Sequence, residues 1–363
     1  MSTDGATPAR VVVLASGWAG FNDAVFAELA ASGVDLLVVY EDAVPDTAYA
    51  RHRIAERAEV LAWTEPPSGA ELRRRVADFA PDVVLMQSWH HPFYREVLAS
   101  VPPTTLRVLW MDNVWRATAK QWVGRAVAPW WVRRLFDCVM VPSDRTEFFA
   151  RRLGFGEGDV IRGSLSADTT AFGSGPRDGA ELQGRRRFLA ASRLVHHKGA
   201  DVLADAYARY RDLVDDPWDL AVAGIGPMAD LLAAVPGVDL LGFCQPEQLA
   251  QEMRRSSCLV VPSREEPYGV TVHEGAVSGL PIVSTYFVGA VPMFVQDGAN
   301  GWVVPGSDPE AMTQAMVRVS TQSAERLGAM SDVSRALGSR LSTDLVARHL
   351  MDDLGRRLRA HRA

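Results

Sequence analysis

The chain has 363 residues, 48% of them hydrophobic and 23% charged, and a net charge of −6. That length suits two domains of ordinary size, and the negative balance excludes a global attraction to nucleic acid or to an anionic membrane. No apolar run reaches the ~18 residues of a spanning helix, and the opening Met-Ser-Thr-Asp-Gly-Ala lacks the basic-then-apolar layout of a secretory signal. Cys138, Cys244 and Cys258 form no C-x-x-C pair. They read as reduced thiols of a cytoplasmic protein rather than as a metal cage.

Short β-branched runs alternate with helical patterns, which predicts α/β domains with parallel sheets. In the first half the strands are Val11–Ala15, Leu36–Tyr40, Val83–Met86, Leu106–Trp110 and Cys138–Val141. The loop Ser16-Gly17-Trp18-Ala-Gly20 follows the first strand and offers backbone N–H groups to phosphate or sugar oxygens. Glu41 and Asp42 after the second strand raise a nicotinamide-dinucleotide reading. Ala19 and Asn22 stand where that fingerprint needs glycine, so this reading is weak. His90 and His91, in Gln87-Ser-Trp-His-His-Pro-Phe93, follow a strand and are candidates for touching substrate, against a surface role. Eight of the ten tryptophans lie at or before Trp131. Trp115, Arg116, Lys120, Trp122, Arg125, Trp130, Trp131, Arg133 and Arg134 make a basic, aromatic stretch. It reads either as packed helices with solvated cations or as a contact for a lipid-linked or phosphorylated acceptor at a membrane's inner face.

Phe172-Gly-Ser-Gly-Pro-Arg-Asp-Gly179 is rich in turn formers and reads as a linker. The expected domains are therefore 1–172 and 173–342, followed by a final helix from Thr343 to about residue 359 within 343–363. Second-half strands are Phe188–Ala191, Leu220–Ala223, Val238–Leu241, Cys258–Val261, Pro281–Ser284 and Gly301–Val304. Arg193 and Lys198 lie on a loop between a strand and the amphipathic stretch Ala200–Leu213, where two cations can converge on one diphosphate. Ala223-Gly-Ile-Gly226-Pro227 is a strand-ending glycine turn.

The densest signal is Glu266-Pro-Tyr268-Gly269-Val270-Thr-Val-His-Glu274, before Gly279-Leu-Pro281. Proline and glycine keep Glu266 in a loop and put Glu274 on the second turn of an apolar helix. At ~1.5 Å per helical residue the pair spans at most ~12 Å, roughly the distance from sugar to ribose across a nucleotide sugar's diphosphate. The helix start between them offers unpaired N–H groups to a phosphate. His273 reads as a packing residue. There is no Asp-x-Asp to hold a divalent metal, so no metal or other cofactor is expected.

The run from Val260 to Ser284 resembles the donor-site signature of glycosyltransferase family 4, retaining enzymes of the GT-B fold. The likeness is strong over about 185–320 and continues through Val288-Gly-Ala290 and Gln296-Asp-Gly-Ala-Asn-Gly-Trp-Val-Val-Pro305. Ser192-Arg193-Leu-Val-His-His-Lys198-Gly199 is similar to the family's Gly-Arg-Leu-x-x-x-Lys-Gly, with Ser192 in place of the glycine. The resemblance implies two Rossmann-like domains facing across a cleft, the first binding an unknown acceptor and the second a nucleotide-diphosphate sugar. It implies that the last helix crosses back to the first domain. It also implies that Arg193 and Lys198 hold the diphosphate, Glu266 the transferred sugar and Glu274 the ribose, with Phe243 and Cys244 near the base through backbone groups. Gly226, Tyr268, Gly269 and Val270 complete the donor side, and Gly17, Trp18, His90, His91 and Asp112 stand on the acceptor or sugar side. Asp112 occupies the place of a histidine usual in the family, whose role does not carry over. Phosphorylases, nucleotide-sugar epimerases and inactive sugar-binding subunits on the same fold are the alternatives.

Overall fold

The protein is described by a computed structural model covering residues 9–42, 54–65, 67–87, 89, 91–173 and 175–363. It divides into two compact units, Met1–Leu165 with Thr343–Ala363, and Ser166–Ser342. Each unit is a parallel sheet interleaved with helices, so each is a Rossmann-like α/β domain.

In the first unit the strands are β1 (Arg10–Ala15), β2 (Asp35–Glu41), β3 (Glu59–Trp63), β4 (Val83–Gln87), β5 (Leu106–Trp110), β6 (Cys138–Val141) and β7 (Val160–Arg162). Their order is β3-β2-β1-β4-β5-β6-β7, and the pairings are parallel. Val11 to Ala15 are buried almost completely, as a parallel strand covered on both faces requires. Sequence reading misses β3, a half-exposed edge strand, and β7, which has three residues. β3 has a single β-branched residue, and in β7 the pair Val160-Ile161 is too short a run to stand out. The Thr343–Arg362 helix packs on the Gly20–Ala31 helix of this unit. Arg357 donates to Val160 O at 2.9 Å, and Arg362 pairs with Asp82 at 2.6 Å.

In the second unit the strands are β8 (Arg187–Ala191), β9 (Asp219–Ala223), β10 (Val238–Gly242), β11 (Cys258–Val261), β12 (Ile282–Thr285) and β13 (Gly301–Val304). Their order is β10-β9-β8-β11-β12-β13, again parallel. The division between units falls at Leu165, not at 172, and the turn-rich stretch 172–179 belongs to the second unit. Buried groups hold it there. Phe172 is 1% exposed, and Arg177 donates to the carbonyls of Met253, Arg254, Ser256 and Ser278.

The strand order reverses between β1 and β4 in one sheet and between β8 and β11 in the other. In open parallel sheets the crevice at such a reversal, beyond the strands' carboxyl ends, is where ligands bind. Among the described residues no helix is long and apolar enough to cross a membrane.

Candidate functional site

In the second unit the chain leaving β8 runs from Ser192 to Gly199 and backs directly onto the glycine turn after β9. Ser192 N donates to Ala223 O at 3.0 Å, Leu194 N to Ile225 O at 2.8 Å, and Met228 N to Leu194 O at 3.1 Å. A Cβ on Gly226 would lie 2.5 Å from Leu194 O. The two loops touch only because the residue there has no side chain. Gly224 N also donates to Gly242 O at 2.7 Å. That bond ties in the loop after β10, where Phe243 and Cys244 sit half-buried. Burial, then Glu252, pushes the Cys244 thiol up.

The loop after β11 is fastened to the same segment. Arg264 grips Asp201 through two bonds, at 2.6 and 2.7 Å, and donates to His196 O at 2.9 Å. Arg264 N and Glu265 N donate to His197 O at 3.0 and 3.2 Å. Held this way, the Lys198 ammonium and the Glu266 carboxylate form an ion pair across the β8/β11 reversal. Arg193 is exposed on the same loop as Lys198, and among the described residues its guanidinium has no hydrogen-bond or ion-pair partner. Burial, then Lys198 and Arg193, holds His197 below the ordinary imidazole range, against Glu266 and Glu265.

Gly269 starts the Val270–Val277 helix with φ +85°, and a Cβ there would lie 2.5 Å from Val288 Cγ1 and 2.8 Å from Glu266 Cγ. No side chain caps this helix, so its start, packed against Glu266, leaves leading N–H groups without a side-chain acceptor. Tyr268 is buried, its carbonyl accepting from Ala290 N at 2.7 Å, and Val270 is half-buried at the helix start.

Glu274 lies on the second turn and is 8% exposed. Burial above all, then the Asp168 carboxylate, raises its pKa to about 8, against a lowering by a hydrogen bond with Thr271. At neutral pH the group is therefore mostly the acid, which both donates and accepts. Its neighbour His273 has a different task. Nδ1 accepts from Ala167 N at 2.9 Å, so Nε2–H donates to Gly338 O at 2.9 Å, and the ring stacks on Phe294. Burial lowers its pKa to about 4, and it stays a neutral packing residue.

One sheet edge thus gathers Arg193, Lys198, Gly226, Phe243, Cys244, Glu266, Tyr268, Gly269, Val270 and Glu274. Sequence reasoning missed five residues here. Asp168 is 106 positions from Glu274 and carries no motif. The Arg264–Asp201 clasp hides inside two motifs read for other residues. Tyr286 and Phe287, exposed and 4.4 Å apart, follow β12, and the Phe287 carbonyl accepts from Glu266 N at 3.4 Å. An aromatic pair directly after a strand was the available signal.

In the first unit, Gly17 and Trp18 follow β1, and Gln87 at the end of β4 accepts from Ser16 N at 3.3 Å. Trp18 does not offer its face to a sugar. It is 9% exposed and packs on Phe26 and Tyr40 at 5.5 and 5.8 Å, so it is a core residue. His91 is wedged edge-on against Trp63 at 5.7 Å, with Nε2 3.8 Å from Glu41. His90 lies outside the described residues. Asp112 is half-buried beyond β5. Among the described residues no group of three or more His, Cys, Asp or Glu is placed to hold a metal ion.

The two parallel-sheet units match the GT-B fold, and residues 185–322 match the model of the glycosyl transferases group 1 family. The matched residues lie within the second unit. The chain is 31% identical over 194 residues to a D-inositol 3-phosphate glycosyltransferase of Streptomyces griseus, a match covering 48% of this chain and 41% of that protein. Thus the chain spans less than half the length of that curated relative. Among solved structures, sucrose-phosphate synthase from Thermosynechococcus elongatus superposes with a TM-score of 0.75 at 17% identity, over 97% of this chain and 99% of that one. Anabaena HepE in complex with UDP-glucose gives a TM-score of 0.73 at 16% identity, over 95% and 98%.

Proposed function

We propose that the protein is a retaining glycosyltransferase that moves a sugar from a nucleotide-diphosphate sugar to an acceptor hydroxyl, in the biosynthesis of a glycan, glycolipid or glycosylated metabolite. The observation that carries this reading is the Lys198–Glu266 pair at an uncapped helix start, set at the strand-order reversal of a group 1 glycosyltransferase domain. Cations with helix N–H groups, and one carboxylate for each end, suit the three parts of such a donor. The diphosphate takes Lys198, Arg193 and the helix N–H groups, and the transferred sugar takes Glu266. The ribose takes the buried Glu274, which as a neutral acid gives one hydroxyl a donor as well as an acceptor.

Bond cleavage places negative charge on the departing diphosphate, and fixed positive groups stabilise that charge without reorganisation. The bond from the anomeric carbon to phosphate oxygen breaks, and the bond to the acceptor oxygen forms on the same face. The acceptor proton passes to the departing phosphate, so no enzyme nucleophile is required. The charge is met by side chains and helix, so transfer proceeds without a metal and persists in EDTA.

HepE is solved with UDP-glucose, which makes UDP-sugars the first donors to try. A thermal-shift panel of UDP-, GDP- and ADP-sugars, followed by product analysis with and without acceptor, is the test. A raised Tm with one donor class and acceptor-dependent transfer with retained configuration are expected. No shift with any nucleotide sugar, or transfer with inverted configuration, overturns the reading.

A further inference from the structure

The Ala119–Leu135 helix of the first unit buries only Ala128 and Val132. A surface helix ordinarily turns an apolar stripe inward; this one turns it out. Val123 is 65% exposed, Val127 46%, Trp131 43%, Trp122 52% and Trp130 67%. Val123, Val127 and Trp131 recur every fourth residue, as do Trp122, Ala126 and Trp130, so two rows lie side by side on one face. Ala128 is two positions from Trp130, roughly 200° round the axis at 3.6 residues per turn, so the buried side is opposite. The patch continues beyond the helix. Trp122 meets Trp115 at 5.2 Å, and Arg152 lies over both Trp115 and the half-exposed Phe148.

Charge tells what such a face suits. From 114 to 136 the sequence has five cations and no Asp or Glu, in a chain of net charge −6. Arg133 is committed to Asp159 at 3.0 Å, and the nearby Asp137 is matched by Arg107 at 2.8 Å. Arg125 lies over the Trp122 ring, and among the described residues Lys120 and Arg134 have no carboxylate partner. A second copy docking here through a two-fold axis would set these cations against their own images. A helix of 17 residues carrying four of them is too short and too charged to span a bilayer of ~30 Å. Indoles with adjacent cations fit the boundary between headgroups and acyl chains.

We propose that this helix docks the protein on the surface of an anionic lipid bilayer, its indoles and valines entering the headgroup boundary while Lys120, Arg125 and Arg134 meet lipid phosphates. The inference uses only the first unit and stands or falls apart from the donor chemistry. The test is co-sedimentation of the full chain with vesicles of phosphatidylglycerol and phosphatidylcholine, against phosphatidylcholine alone, with tryptophan emission read in parallel. Binding to the anionic vesicles, a blue shift, and weakening by added salt are expected. The triple variant Trp122→Ala, Trp130→Ala, Trp131→Ala should lose at least about tenfold in binding, as should Lys120→Glu, Arg125→Glu, Arg134→Glu. All six positions are exposed, and far-UV circular dichroism confirms that each variant folds. No binding to anionic vesicles, equal binding to neutral ones, or unchanged binding by either triple variant overturns the proposal. So does a lipid-independent dimer that the tryptophan variant disperses, which would assign the face to a second copy.

Discussion

Glu266 closes on Lys198 across two loops that leave different strands, and both side chains are largely withdrawn from solvent, 17% and 15% exposed. Neither loop reaches this position alone. Gly199 brings one loop up against Pro262 with φ +74°, and the Arg264–Asp201 clasp holds the other. The cation and carboxylate are thus prepositioned, and on the proposed reading a donor entering between them would exchange their ion pair for new contacts.

Lys198→Ala and Arg193→Ala should each lower kcat by about 10²-fold or more, the usual effect of removing one donor that meets developing charge. Lys198→Ala also strands Glu266 without its counter-ion, so its loss should exceed that of the exposed Arg193. Steady-state kinetics with a saturating donor decides this, and near wild-type turnover in both variants would remove the assigned roles.

Burial of Glu274 predicts a particular pH dependence. Its pKa stands at about 8 in the folded chain against an ordinary 4.5, so between those values the folded state holds more proton than the unfolded one. The contribution to stability is therefore complete below 4.5 and declines as pH rises, by at most about 1.4 kcal/mol per unit, levelling above 8. Glu274→Gln keeps a neutral donor and acceptor and should flatten that decline. Urea unfolding at pH 5 and pH 8 makes the comparison. Equal losses in wild type and variant would mean the carboxyl is ionised when buried.

Gly269→Ala tests the helix start. A Cβ at φ +85° is strained, and it would press on Val288 and on Glu266 itself. The expected cost is about 1–3 kcal/mol of stability, with weaker donor binding because Glu266 is displaced. A variant that unfolds at the wild-type denaturant concentration and binds donor equally well would show that the turn relaxes freely.

How much of this was legible in the sequence depends on the range of each interaction. Local patterns served well: Ala200–Leu213 reads as an amphipathic helix and is helix to the residue. Arg193, Lys198, Gly226 and Glu266 come to one edge because parallel strands deliver their carboxyl ends there. Trp18 failed because an aromatic after a glycine loop looks the same whether it faces ligand or core. Only its packing on Phe26 and Tyr40, both distant in sequence or on another element, distinguishes them. Asp168 and the burial that neutralises Glu274 were equally invisible, since desolvation belongs to the folded surroundings and not to either residue.

Arg177 shows the same limit in a residue that composition assigned to a linker. It is 8% exposed, and burial lowers its pKa to about 10. Its guanidinium reaches Arg254 O and Ser256 O at 2.9 Å and Met253 O at 3.3 Å, while Ser278 Oγ, just past the helix carrying Glu274, donates to Phe172 O at 3.1 Å. The strap therefore braces the carboxyl end of that helix. Arg177→Met preserves much of the apolar stem but leaves these carbonyls without a donor, which should cost about 2 kcal/mol or more. Arg177→Lys, keeping the charge with fewer directed bonds, should fall between. Because the brace acts on the helix and not on the ligand, KM for donor should rise more than kcat falls. A Met variant with wild-type urea midpoint and unchanged KM would show that the strap merely covers the surface.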